Sequence, residues 1–145
     1  MLKAVSLEVG RIRTELGPDA LWTGYSIPLL ATWVIPLAVQ HAHEHAEILG
    51  HLQRLDRLLS NAVTLQTSLK ESEAERRSLE ETYRDLAELP LESDCFSGSI
   101  PIHSFQRHRE LLKKELFLRE QYAPLHALLL RCIDDAEQQC RRGAD

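Results

Sequence analysis

Seven histidines are spread along this chain of 145 residues, and three of them fall within five positions: His41, His43 and His45, with Glu44 between the last two. If residues 41–45 are helical, His41 and His45 stand one turn apart on one face, and Glu44 lies beside them. Two neutral imidazoles at that spacing can ligate zinc, and a neighbouring carboxylate can act as general base on a metal-bound water. His43, Glu47 and His51 repeat the pattern on a second face, at i, i+4 and i+8.

His41-x-x-Glu44-His45 has the H-x-x-E-H order of the inverted zinc peptidases. A catalytic zinc needs a third protein ligand, which that pattern takes from far downstream in a much larger chain. Here the carboxylates from Glu71 to Glu92 could reach back only if their helix folded on itself. On the C-terminal helix, His126 is the best placed, so His41, His45 and His126 form the candidate set for a structural metal. The competing readings are a solvated polar collar on a helix, or histidines within a helix seam that respond to pH near about 6.5. No Gly-rich phosphate loop, G-x-S-x-G or C-x-x-C pattern occurs. Neither an enzymatic activity nor a cofactor is expected.

The elements that must hold these residues read as helical throughout. Apolar residues make up 43%, charged residues 27% and aromatics only 6%, an ordinary balance for a helical domain. The length fits one domain. The net charge of −5 and the interleaving of bases with acids leave no basic stripe, so nucleic-acid binding is not expected. Three cysteines do not make a disulfide scaffold. Cys132 and Cys140, eight residues apart on one helix, would stand about 12 Å apart, beyond the roughly 7 Å a disulfide allows.

Residues 1–19 predict a short amphipathic helix. Leu2, Val5, Val9, Ile12 and Leu16 form its stripe, and Gly17-Pro18 ends it. A helix this short needs a surface to dock on. Its charges where an apolar core should sit exclude a signal peptide. An intracellular protein, cytoplasmic or nuclear, is the expectation.

Residues 20–39 are apolar and broken by Pro28 and Pro36, with Trp22, Tyr25, Leu29 and Trp33 as large anchors. The stretch is as long as a membrane span. Its polar residues and unbiased flanks favour a segment packed against protein, with membrane association the second expectation.

A long helix is predicted over 36–89, with a seam through Leu55, Leu58, Ala62, Leu65, Leu69, Ser72, Arg76, Leu79, Tyr83 and Leu86, and with Leu52, Leu59 and Val63 widening the stripe in its first half. Attractive pairs at i, i+4 are expected for Glu73–Arg77 and Arg76–Glu80. The seam weakens at Ser72 and Arg76, predicting a wetter stretch. Residues 90–104 form a loop, and a second long helix covers 104–142. Ser104 is its candidate N-cap. Its seam runs through Leu111, Glu115, Leu118, Tyr122, Leu125, Leu129, Cys132, Ala136 and Cys140, with a kink expected near Gln121–Tyr122 from Pro124.

The architecture implied is all-α: a long antiparallel, coiled-coil-like helical hairpin with a short N-terminal helix and a broken apolar segment. Two helices bury little, so partner helices are expected to complete it. The function implied is that of a non-enzymatic coiled-coil subunit of a larger assembly, whose partners are other helical subunits. A membrane-anchored coiled coil and a His-rich metal-binding protein are the alternatives. Trp22, Tyr25, Leu29, Trp33, Leu55, Leu58, Leu65, Leu69, Leu79, Leu111, Leu118, Leu125 and Leu129 are the candidate partner contacts.

Overall fold

A computed structural model describes residues 2–18, 33–89 and 100–144, and these are almost entirely helical. Helix α1 spans Leu2–Glu15 and buries Val5, Val9 and Ile12, with Leu16 just past its end. The chain's own last helix provides its dock. Leu2 lies against Gly143, Arg13 reaches Asp134 and Glu137, and the Tyr122 hydroxyl donates to the Gly17 carbonyl at 2.6 Å. These contacts run α1 antiparallel to that helix and end it at the height of Tyr122.

The single helix expected over 36–89 is divided. Helix α2 covers Ile35–Gln40, with Pro36 in its first turn as expected. A corner at 41–45 follows, then helix α3 at Ala46–Thr82 and a 3₁₀ turn at Arg84–Glu88. The corner has a physical reason. The start of α3 lies beside Gln139, Arg142 and Gly143, at the end of the last helix. A helix running straight back from Ala46 would leave that end behind and carry Val34 and Ala38 into water. The turn instead buries both in the main core. Backbone bonds from Glu44 and His45 to the His41 carbonyl, 3.0 and 2.9 Å, hold it.

Helix α4 spans Ile102–Ala144, starting two residues before the expected Ser104. Pro101 supplies a φ already suited to a helix start, and Phe105 N–H donates to its carbonyl at 3.1 Å. Ser104 is therefore buried within the first turn and is not an N-cap. The helix continues unbroken through Pro124, which faces solvent, where water can meet the carbonyl of Glu120 that loses its N–H partner. Of the expected loop, residues 90–99 lie outside the described residues, as do residues 20–32 of the apolar segment. No described helix is long and apolar enough to cross a membrane.

α3 and α4 form a long antiparallel pair. Cys132 meets the His51 carbonyl near one end, and Glu80 meets His108 near the other. The buried side of α3 runs through Ile48, Leu52, Leu55, Leu59, Ala62, Gln66 and Leu69. The seam read from sequence ran through Leu58 and Leu65, with Leu52 and Leu59 only widening it, and did not include Gln66. The buried side turns toward Leu52 and Leu59 because α1 and α2 pack into the same core, while Leu58 and Leu65 are left on its border. A second, small core of Leu86, Ile100 and Phe105, flanked by Leu79, Tyr83 and Leu89, closes the far end.

Candidate functional site

The histidine corner was the first candidate. Glu44 sits among three imidazoles, 3.9 Å from His41 Nδ1, 3.3 Å from His43 Nε2 and 4.0 Å from His45 Nε2. The rings surround the carboxylate and do not converge with it on one point. Among the described residues, no three of His, Cys, Asp and Glu are placed to hold a metal ion. His126 is elsewhere. Its ring lies 5.5 Å from that of Tyr122, near the height of Asn61 on α3. Sixteen residues of helix separate that height from His45, about 24 Å at 1.5 Å per residue. The structure therefore keeps His41 and His45 together and His126 apart from them. An open cleft of about 420 Å³ beside the corner is lined by His43, Glu44, His45, Glu47 and Arg142.

A second cluster lies between the two cores, with His108, Arg109 and Glu115 buried and Arg76 and Glu80 partly exposed. Arg76 Nε donates to Glu115 Oε2 at 2.7 Å, and Arg76 Nη1 donates to Glu80 at 3.0 Å. Glu80 Oε1 lies 2.9 Å from His108 Nε2, and Arg109 Nη2 lies 3.0 Å from His108 Nδ1. A guanidinium can only donate, so Nδ1 must be the acceptor and Nε2 must carry the proton that meets Glu80. His108 is thus held as one neutral tautomer. Arg109 in turn lies 5.3 Å over the Phe105 ring.

The charges of this layer balance as two arginines against two glutamates. Burial acts to raise the Glu80 carboxyl, but the hydrogen bonds from His108 and Arg76 outweigh it and hold it below its ordinary value. The bond to Glu115 pushes Arg76 up, and burial lowers Arg109. Both nitrogens of His108 are engaged and its side chain is 1% exposed. The imidazole has no free nitrogen to offer a substrate, so the layer suits structure more than acid–base chemistry.

Sequence reasoning missed this layer as a unit, although both halves of its signal were present. Ser72 and Arg76 interrupt one seam, and Glu115 interrupts the other. Antiparallel pairing puts the interruptions at one height. The expected i, i+4 pairs Glu73–Arg77 and Arg76–Glu80 both form.

The candidate partner contacts divide by height and side. Leu55, Leu69, Leu111 and Leu129 are fully enclosed by the chain's own helices and hold the hairpin together. Trp22, Tyr25 and Leu29 lie outside the described residues. Trp33 is exposed. Leu58, Leu65, Leu118 and Leu125 are half-buried beside the main core, and Leu79 beside the small one. Three of them, Leu65, Leu118 and Leu125, line an open groove of about 540 Å³ between α3 and α4. Asn61, Thr64, Ser68, Gln121 and Pro124 complete its walls. On α4, Leu116 and Phe117 are exposed at 48% and 56%, and Leu128 at 38%.

The two cysteines of α4 are buried and unpaired. Burial pushes both thiols up, which keeps them protonated and unreactive. Set beside known protein families, characterised proteins and solved structures, the chain matches none of them.

Proposed function

We propose that this chain is a non-enzymatic, all-α subunit of a larger intracellular assembly, and that it works by helix–helix association along the α3–α4 hairpin. The observation that carries the reading is the groove. α1 ends at the height of Tyr122, so the hairpin is longer than the helix that covers it. Leu65, Leu118 and Leu125 line a depression that one apolar helix face would fill, with Phe117 and Leu128 exposed on the same α4. Large apolar side chains gathered this way on a small chain mark an association surface more often than chance. The buried polar layer supports the same reading, since its ion pairs hold the two helices in one register.

The test is the size at which the chain travels in a native extract of its own cells. A subunit migrates well above its 16.6 kDa mass, and substitution of Leu118 and Leu125 by Glu returns it to monomer size. Migration of the wild-type chain as a free 16.6 kDa species sinks the proposal.

A further inference from the structure

His108 sits where the polar layer meets the small core, and its two nitrogens serve different parts of the fold. Nε2 faces Glu80 across the hairpin at 2.9 Å. Nδ1 faces the Arg109 guanidinium at 3.0 Å, and that guanidinium lies 5.3 Å over the Phe105 ring. Phe105 packs with Leu86 and Ile100 in the core that closes the hairpin tip. One imidazole thus joins the pairing of the long helices to the cover of the tip.

The join holds only while Nδ1 carries no proton. An imidazolium donates from both nitrogens and accepts at neither. A proton on Nδ1 would set donor against donor at 3.0 Å. The charged groups of the layer around His108 are Glu80 and Arg76 from α3, and Arg109 and Glu115 from α4. Arg84, Asp85 and Glu88 of the 3₁₀ turn are exposed, and Tyr83 beside it flanks the small core. A neutral imidazole leaves two positive charges against two negative ones, and a protonated one makes it three against two. Glu80 favours that extra proton, but both of its oxygens are already held by Arg76, at 3.0 and 3.1 Å. Arg76 is in turn anchored to Glu115, whereas burial already disfavours the Arg109 charge. Of the two arginines, Arg109 is the one that yields.

We infer that His108 is a pH-sensitive latch: a proton taken from solvent at Nδ1 displaces the Arg109 guanidinium, uncovers Phe105 and opens the tip core, while Glu80 and Arg76 keep the long helices paired. The latch acts within the single chain, with or without a partner helix. His108 is 1% exposed, so its ring meets water only when the tip opens, and opening and proton uptake are linked. In the open tip the imidazole takes its ordinary value of about 6.5. The closed tip keeps its full stability above that pH and loses it as pH falls below, by about tenfold per unit for one linked proton. Glu80, held below 4.5, stays ionised throughout this range.

The experiment is amide hydrogen exchange of the purified full chain between about pH 8 and 5.5, corrected for the pH dependence of intrinsic exchange. Protection in 84–89 and 102–109 should be constant down to about pH 6.5 and then fall about tenfold per unit. Protection in 48–69 should not change. Nitrogen NMR at pH 8 should show His108 neutral with its proton on Nε2. Two variants divide the mechanism, and circular dichroism checks that each is folded. H108Q can still donate to Glu80 but does not titrate, and it keeps His103, an exposed imidazole at the same end. Its tip should show no pH response. In R109M a protonated His108 restores two charges against two, so the response should again be lost although the imidazole remains.

Wild-type tip protection that is flat over the whole range overturns the inference, as does a neutral ring with its proton on Nδ1. A loss shared equally by 48–69 overturns it too, because the tip then does not open by itself. A full response in H108Q assigns the effect to another group, and a full response in R109M shows that Arg109 is not what the proton displaces. The wild-type profile and tautomer decide the matter even where a variant does not fold.

Discussion

Replacing Arg76 by Met should destabilise the chain sharply, and replacing Glu115 by Leu at the same time should undo most of the damage. Arg76 is the only donor linking Glu115 to Glu80 in the described polar layer. Glu115 is 6% exposed. Removing the guanidinium leaves that carboxylate buried without its 2.7 Å partner. Breaking a buried ion pair from one side costs about 3–5 kcal/mol. Arg76 and Glu80 are partly exposed, so water can reach the vacated space, and the lower end, about 3 kcal/mol, is expected. Urea unfolding followed by circular dichroism reads this directly. With a slope of about 2 kcal/mol/M, the midpoint should fall by about 1.5 M.

In the double variant no charge is stranded, because Glu80 keeps its bond from His108. Apolar replacement of a whole buried pair is often neutral or stabilising. The double variant should return to within about 1 kcal/mol of the wild type, a coupling of about 2 kcal/mol or more between the two positions. Equal slopes across the set are needed for the comparison. If the single and double variants are equally unstable, or if Arg76→Met lies within about 0.5 kcal/mol of the wild type, Glu115 is hydrated in solution and the reasoning fails.

Tyr122→Phe removes the hydroxyl that meets the Gly17 carbonyl, at a cost of about 1 kcal/mol. Hydrogen exchange should quicken in α1 while α3 between 48 and 62 stays protected. Glu80 is held below its ordinary value of 4.5, so its stabilising contribution is present above that pH and is lost as pH falls through the depressed value. Urea midpoints measured between about pH 5 and 3 should fall, and Glu80→Gln should flatten that part of the profile. Cys132 and Cys140, raised by burial, should resist alkylation in the native chain and react in concentrated urea, which mass spectrometry of their peptides distinguishes.

Much of the fold was legible because periodicity reports burial. The stripe of α1 is read from Val5, Val9, Ile12 and Leu16, and all four are buried. The long pair α3 and α4 follows in the same way from its leucines. What periodicity cannot report is the direction from which a third element arrives. Leu58 and Leu59 both belong to the stripe read from sequence, and only the tertiary packing shows that Leu59 is enclosed and Leu58 lies on the border. The corner at 41–45 was illegible for a related reason. His-Ala-His-Glu-His has no breaker in it, and the chain turns there because α4 ends alongside, which is a fact of tertiary geometry. The candidate ligand set failed on the same ground. His41 and His45 are neighbours by local spacing, but His126 depended on register, and the register set it about 24 Å away.

Register is also what joins the polar layer to the open face. A seam of leucines alone can slide by a heptad with little loss, since one leucine replaces another in each hole. Here a slide would pull Arg76 from Glu115 and Glu80 from His108 together. Glu115 and His108 would then be buried without their partners, and a penalty of about 3–5 kcal/mol for the stranded carboxylate opposes the slide. The groove depends on that choice. Its α3 wall at 61–68 and its α4 wall at 118–125 face each other only in the register the layer selects. A slip of seven residues would set Leu65 opposite a different part of α4 and take Leu118 and Leu125 away from it. Placing the ion pairs just beyond the end of the groove leaves its walls free of buried charge, while the layer still fixes which residues meet there. The most polar part of the hairpin thereby determines the shape of its most apolar surface.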